Sequence, residues 1–100
     1  MLIAATGLAA AQDVAGYRLT IKDHKFTPES LEIPADTKVT LVVKNEDSTP
    51  EEFDSHDLKR EKVVGGGREV TILIGPLDPG SYAFMGEYHE ATAKGVVIVK

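Results

Sequence analysis

The feature of this sequence that most constrains its fold is a two-residue alternation of apolar and polar side chains. It begins at Tyr17, Leu19 and Ile21 and returns at Leu31 and Ile33. A period of two is the spacing of one face of a β-strand, whereas an amphipathic helix repeats every 3.6 residues. Further short runs that are apolar or rich in β-branched residues read as additional strands; they are 37–44, 69–74, 81–88 and 95–100.

Turn signals separate these runs at intervals typical of a β-sandwich. Gly75-Pro76 and Asp78-Pro79-Gly80 are the clearest, and each proline falls at a strand end or in a turn, where no ladder hydrogen bond is lost. The sequence therefore predicts an all-β Greek-key sandwich of about seven to eight strands. Residues 54–67 are the exception, because this polar stretch fits either a turn of helix or an irregular strand.

The first residues differ in composition from the rest of the chain. Residues 1–11, MLIAATGLAAA, resemble the apolar region and small-residue cleavage site of a secretory signal, although the usual basic start is missing. We interpret 1–11 as a signal-peptide remnant or an added segment, and 12–100 as one domain. An ordinary apolar N-terminal strand or helix is the alternative. The signal interpretation predicts a periplasmic location.

Composition excludes several classes of function. The chain has no cysteine, which removes disulfides, thiolate metal sites and a cysteine nucleophile. A net charge of −5 argues against nucleic acid, since binding phosphates needs clustered lysine and arginine. No apolar run reaches 18 residues, so no transmembrane helix is expected. The motifs G-x-S-x-G and H-E-x-x-H are also absent.

The last third of the chain carries a family pattern. Tyr82 and Phe84 precede Gly86 at two-residue spacing, His89 follows in a loop, and a Gly-Val-Val-Ile-Val strand closes the chain. This resembles the cupredoxins, whose copper strand reads Y-x-F-x-C before a loop with histidine and methionine. In that comparison Gly86 takes the cysteine position, His89 matches the second ligand histidine, and Ala93 falls at the usual axial methionine.

The resemblance extends upstream and implies a cupredoxin-like fold for nearly the whole domain. Phe26-Thr-Pro28 matches the family's F-x-P, and Asn45 opens a segment matching N-x-x-x-x-P-H-N. Glu51 then stands at the first ligand histidine and Glu52 at the neighbouring asparagine. A blue-copper centre needs a short copper–thiolate bond. The resemblance therefore implies the fold without the blue-copper site.

What remains at the family's metal end is a set of imidazoles and carboxylates. The candidate metal ligands are His24, Glu51, Glu52, Glu87 and His89. Nitrogen and oxygen ligands of this kind suit iron, Cu(II), zinc or manganese without choosing among them. Each of these candidate ligands also has an interpretation that involves no metal. The histidines can be solvated loop or edge-strand residues, and the glutamates can serve as turn caps. His56, in a polar run, is expected to be exposed.

A narrower resemblance concerns residues 50–64 and 75–93. They are similar to the small periplasmic cupredoxin-like proteins that accompany bacterial high-affinity iron permeases. This implies a protein that binds iron or copper for uptake, with an iron permease or another periplasmic iron-uptake protein as its partner. The ligand site can lie within one subunit or be shared in a homodimer.

Two alternatives stay open beside this hypothesis. One is a metal-free interaction module that docks on a partner through the exposed polar run 55–62. The other is oxidation of ferrous iron by the protein itself. The latter is disfavoured because the chain has no cysteine or tryptophan and only three tyrosines to carry electrons. We therefore expect a binding protein rather than an enzyme.

Overall fold

The computed structural model describes residues 15–100, and these residues form nine β-strands and one short 3-10 helix. The predicted interpretation of residues 1–11 lies outside the described residues and stays a prediction. The strands are β1 (Ala15–Lys22), β2 (Lys25–Thr27), β3 (Ser30–Ile33), β4 (Val39–Asn45), β5 (Glu51–Ser55), β6 (Arg60–Val64), β7 (Glu69–Ile74), β8 (Gly80–Gly86) and β9 (Lys94–Val99); the 3-10 helix is Glu87–His89.

The strands form two mixed sheets that pack face to face. The first sheet has the order β2-β1-β4-β7, with β1 and β4 parallel; the second has the order β3-β9-β8-β5-β6, with β3 and β9 parallel. The chain crosses repeatedly between the sheets, because strands that are neighbours in sequence often lie in different sheets. The predicted all-β sandwich is confirmed, and the part of the chain described contains no α-helix.

The structure decides one alternative that the sequence left open and corrects one predicted strand boundary. The ambiguous stretch 54–67 contains β6, which pairs with β5 at the sheet edge and explains why its alternation is weak. The predicted strand 81–88 ends at Gly86, and Glu87 to His89 form the 3-10 helix instead. Within the described residues no helix is long and apolar enough to cross a membrane.

Alternate residues of the strands fill the space between the sheets. In β4 every second side chain is fully buried, which is the period that the sequence shows. Phe84 meets Phe26 edge-on at 5.0 Å between ring centroids and lies against Phe53 at 5.3 Å. Burying one such side chain contributes roughly 1.5–3 kcal/mol, so this aromatic group stabilises the junction of the sheets next to Gly86.

A buried asparagine controls how the chain enters the candidate site. The Asn45 side-chain amide donates to the carbonyl oxygens of Thr49 (2.8 Å) and Val64 (3.0 Å), and its oxygen accepts the backbone N–H of Asp47 at 3.0 Å. Asn45 is 0% exposed, so each of these bonds satisfies a group that water cannot reach. The turn after β4 is therefore fixed just before β5 begins at Glu51.

Candidate metal centre

The centre of the site is a buried carboxylate at the start of β5. Glu51 is only 1% exposed, and its Oε1 lies 2.6 Å from His89 Nδ1. Its Oε2 accepts the backbone N–H groups of Tyr88 (2.9 Å) and Glu52 (3.1 Å). Because a carboxylate only accepts, the hydrogen in the short bond lies on Nδ1. In neutral His89 the Nε2 atom therefore carries the lone pair that can bind a metal.

Room for this carboxylate comes from Gly86 at the end of β8. A Cβ atom placed on Gly86 would lie 2.6 Å from Glu51 Cδ and 2.7 Å from the Cβ of Ala93. Real Cβ atoms do not approach other atoms that closely. Position 86 has no side chain, and position 51 carries a buried glutamate. These two features are therefore parts of one packing arrangement.

His24 reaches the same place from the other sheet. It lies at the tip of the β1–β2 hairpin, where Asp23 and His24 both have positive φ (54° and 58°). Two successive residues with positive φ are typical of a tight hairpin turn. Aspartate and histidine are among the non-glycine residues that adopt positive φ most readily. The rings of His24 and His89 stack with centroids 3.5 Å apart and an interplanar angle of 10°.

Two side chains hold the His24 turn in place. The Asp47 carboxylate accepts the backbone N–H groups of Asp23 (2.8 Å) and His24 (3.0 Å). Burial acts to raise the pKa of Asp47, but these bonds outweigh it and the pKa is lowered. From the opposite loop, Thr92 Oγ1 donates to the His24 carbonyl oxygen at 2.6 Å. The hairpin is thereby tied to the loop that follows His89.

The stacked arrangement limits how one ion can bind both rings. An imidazole lone pair lies in the plane of its ring, and metal–nitrogen bonds are about 2.0 Å long. Two nearly parallel planes 3.5 Å apart cannot both contain the ion. One ring must therefore turn for both histidines to bind. His89 is held by Glu51, whereas among residues 15–100 the His24 ring has a single hydrogen-bond contact, 3.5 Å between its Nε2 and Thr49 Oγ1.

The other predicted ligands belong to a second group on the outer surface of the five-stranded sheet. Carboxylate oxygens of Glu52, Glu61 and Glu87 all lie within 4.8 Å of one another. A hydrogen bond with Glu87 is the largest cause that raises the pKa of Glu52 to about 7, followed by burial and by repulsion from Glu87 and Glu61. We call these three residues the acidic cluster. One proton in the cluster relieves part of its repulsion.

The structure thus divides the five predicted ligands into two groups. His24, Glu51 and His89 lie together at one end of the sandwich, and Glu52 and Glu87 lie in the acidic cluster. The sequence analysis missed Glu61, which faces Asp54 across the β5–β6 ladder. The alternation of side chains between the two faces of strand 60–64 was the sequence signal that could have identified Glu61. It also missed Asp47 and Thr92, which act on the His24 backbone and have no sequence signature. His56 is exposed, as expected.

Comparison with known proteins identifies the fold family. The family model of the cupredoxin-like domain matches residues 1–99. The chain belongs to the cupredoxin-like domain family. A curated relative, the uncharacterised protein RP394 of Rickettsia prowazekii (strain Madrid E), is 49% identical over 82 residues, which are 82% of this chain and 66% of the relative. The chain thus spans slightly less than two thirds of that relative's length.

Solved structures of the same architecture include copper proteins. The metal-binding domain of the Cu(I)-exporting P-type ATPase CopA from Streptococcus pneumoniae D39 gives a TM-score of 0.75 at 13% identity, covering 89% of this chain and 88% of that one. A purple cupredoxin from Nitrosopumilus maritimus gives 0.64 at 22% (84% and 99% covered), and auracyanin from Roseiflexus castenholzii gives 0.70 at 16% (88% and 98%). At these identities the likeness shows the fold.

The blue-copper ligand set of the family does not fit this cupredoxin-like domain. Gly86 offers no thiolate, and the Glu51 carboxylate fills the space next to it. A trigonal His₂Cys plane therefore cannot form here. The donor set that is present, two imidazoles beside carboxylates, fits Cu(II), iron or zinc bound without a thiolate.

Proposed function

We propose that this cupredoxin-like domain binds a transition metal ion, copper or iron, through the imidazoles of His89 and His24. The observation that carries the proposal is the 2.6 Å bond from His89 Nδ1 to the buried Glu51 carboxylate. Metal-binding histidines usually donate their second ring N–H to a carboxylate or carbonyl, which fixes the tautomer and raises the basicity of the other nitrogen. His89 has this arrangement.

In this proposal the predicted residues have different roles. Both oxygens of Glu51 are already engaged by hydrogen bonds, so Glu51 orients His89 rather than binding the ion directly. His24 becomes the second ligand when its ring turns out of the stack. Glu52 and Glu87 lie in the acidic cluster and contribute negative charge near the site. A site rich in imidazole favours copper over iron among divalent ions, following the general order of affinities.

The proposed biological role is metal handling during iron uptake in the periplasm. What supports it is the resemblance of 50–64 and 75–93 to cupredoxin-like proteins that accompany iron permeases. An iron permease or another uptake protein is then the partner that receives the metal. Assisted oxidation of ferrous iron would also place copper and iron in one pathway, but the chain's own residues supply no evident route for electrons.

Metal titration of purified protein tests the proposal. We expect one Cu(II) per wild-type chain by calorimetry and elemental analysis. His89→Ala should abolish this binding, and His24→Ala should weaken it. His56→Ala is the matched control, because His56 is exposed and should not alter the stoichiometry. Unchanged stoichiometry and affinity in His89→Ala would overturn the proposed site.

The second candidate function is the metal-free interaction module. The closed state of the site favours it, since the two rings stack on each other and both Glu51 oxygens already accept hydrogen bonds. Thermal unfolding in the presence of copper, iron, zinc or manganese separates the two candidates. A metal that binds only the folded state raises the unfolding temperature. No shift with any of the four ions would favour the module.

A further inference from the structure

The outer surface of the five-stranded sheet combines apolar side chains with unbalanced negative charge. Strand alternation turns Glu52 and Asp54 of β5 away from the core, while Glu51 and Phe53 are buried. In β8, Met85 and Ala83 are exposed and Phe84 is buried. We call the surface formed by Glu52, Asp54, Glu61, Val63, Ala83 and Met85 the outer face; Glu87 adjoins it through the acidic cluster.

Met85 stands at the middle of this face. Across the ladders it is the partner of Asp54 on β5 and of Lys94 on β9. A cleft of about 460 Å³ opens on one side, with Met85, Ala83 and Ala91 in its lining. A smaller cleft of about 100 Å³ also includes Met85, together with Asp54. The methionine therefore forms an apolar ridge between two depressions.

Within the described residues the acidic groups of this region form no ion pair, although Lys59 and Arg60 line a depression together with Asp54 and Glu61. The ion pairs found in residues 15–100 are Arg18–Glu69, His89–Glu51 and Lys100–Glu32, and none involves a carboxylate of the outer face or Glu87. Lys94 reaches the edge of the larger cleft, beside Glu90.

We propose that the outer face docks a basic segment of a partner protein that presents lysine or arginine and apolar side chains on the same side. The acidic cluster would receive the cationic groups, and the apolar side chains would enter the clefts beside Met85. The negative carboxylates of the outer face are complementary in charge to a basic segment, which is why we propose a basic partner. An anionic membrane surface would be repelled by the same carboxylates. The docking surface is separate from the His24–His89 pair, so it does not depend on the proposed metal function.

Exposed apolar area alone would not support this inference, since single apolar side chains are common on protein surfaces. Here Val63 (51% exposed) is the cross-strand partner of Glu52, and Met85 (36% exposed) is the partner of Asp54. Val63 and Met85 thus each lie across the ladder from a carboxylate that forms no ion pair within residues 15–100. An extended segment whose basic and apolar residues lie two positions apart presents both kinds of side chain on one side, and so would meet both kinds of group.

A defined peptide tests the proposal with the full protein. The probe is a fluorescent Lys-Lys-Leu-Leu-Lys-Lys-Leu-Leu peptide, compared with Glu-Glu-Leu-Leu-Glu-Glu-Leu-Leu, and binding is followed by anisotropy and by amide chemical shifts. We expect binding of the basic peptide only, with shifts confined to β5, β6 and β8. Affinity should fall about tenfold or more when NaCl is raised from about 50 to about 500 mM, because salt screens exposed charges.

Matched variants separate a specific surface from general acidity. Glu52→Gln/Glu61→Gln/Glu87→Gln should weaken peptide binding about tenfold or more, and Met85→Ser should weaken it severalfold. Asp36→Asn/Glu46→Gln/Asp78→Asn removes the same charge from exposed positions elsewhere and should change the affinity less than twofold. Circular dichroism verifies folding of each variant.

Several results would overturn the proposal. They are equal binding of the acidic peptide, equal loss in both triple variants, or chemical shifts centred on His24 and His89. Binding of phosphatidylglycerol vesicles in place of the peptide would favour a membrane surface. Tight binding of Mn²⁺ alone by the acidic cluster, without peptide binding, would make it a metal site. His89→Ala should leave peptide binding unchanged, so failure here is distinct from failure of the metal proposal.

Discussion

The Glu51 carboxylate and Gly86 share one small space: a Cβ on Gly86 would lie 2.6 Å from Glu51 Cδ. The sequence resemblance to cupredoxins implies that Gly86 stands at the position of their copper-binding cysteine and Glu51 at that of a ligand histidine. The two differences therefore belong together. Removing the cysteine side chain makes room for a glutamate that is held by three hydrogen bonds and that orients the remaining histidine.

The first prediction follows from this crowding. Gly86→Ala should destabilise the protein by about 1–3 kcal/mol, the usual cost of forcing extra atoms into a packed interior. Adding Glu51→Ala should recover part of the loss, because the two side chains then no longer compete. Gly16→Ala is the control, since its Cβ would meet Thr40 Oγ1 at an ordinary 3.5 Å. Urea unfolding measures wild type, Gly86→Ala, Glu51→Ala, the double variant and Gly16→Ala, and additive effects at positions 51 and 86 would contradict the coupling.

The second prediction concerns the charge of Glu51. Glu51→Gln keeps the shape but turns an amide NH₂ toward either His89 Nδ1 or the N–H groups of Tyr88 and Glu52. A buried donor without an acceptor costs about 1–3 kcal/mol. Metal affinity should fall about 10–100-fold, as it does when the orienting partner of a metal-binding histidine is lost.

Glu52→Gln provides the matched control for this experiment, because Glu52 is next in sequence but turns its side chain to the outer face. Urea unfolding and copper titration would be run on both variants. An affinity in Glu51→Gln equal to that of wild type would show that Glu51 does not orient a ligand.

The sequence predicts those features of the structure that depend on neighbouring residues, and not those that depend on contacts between distant residues. The alternation at Tyr17, Leu19 and Ile21 reports burial residue by residue, so the sandwich was predictable. Glu51 and His89 are 38 positions apart, so no local pattern relates them. Only the resemblance to the family placed both residues at the same end of the domain. The stacking of His24 on His89 depends on a hairpin tip and two clamps, Asp47 and Thr92, which act through backbone atoms. Such contacts leave no periodic signal.

The third prediction is a pH dependence that arises from the acidic cluster. The folded-state pKa of Glu52 is about 7, above its ordinary value of 4.5, and hydrogen bonding to Glu87 is the main cause. Between these pH values the folded protein binds more protons than the unfolded chain, so stability falls as pH rises through this window. Denaturant unfolding of the metal-free protein at a series of pH values measures the effect.

Glu52→Gln should flatten that profile, because the glutamine cannot titrate. Glu46→Gln, which removes an exposed carboxylate after β4, should leave the profile unchanged. A wild-type stability that rises between pH 4.5 and 7, after correction with the Glu52→Gln protein, would contradict the assignment of the proton to this cluster.

The fourth prediction tests the clamp on the His24 hairpin. Asp47→Asn leaves one acceptor oxygen for two backbone N–H groups, those of Asp23 and His24, and should cost about 1 kcal/mol. It should also loosen the stack of His24 on His89, seen as altered imidazole shifts in NMR spectra. Because the folded pKa of Asp47 is lowered below 3.8, its contribution is present above that pH and is lost as acid protonates it. Asp36→Asn, at an exposed position, is the control; equal effects of the two substitutions would show that the clamp does not position His24.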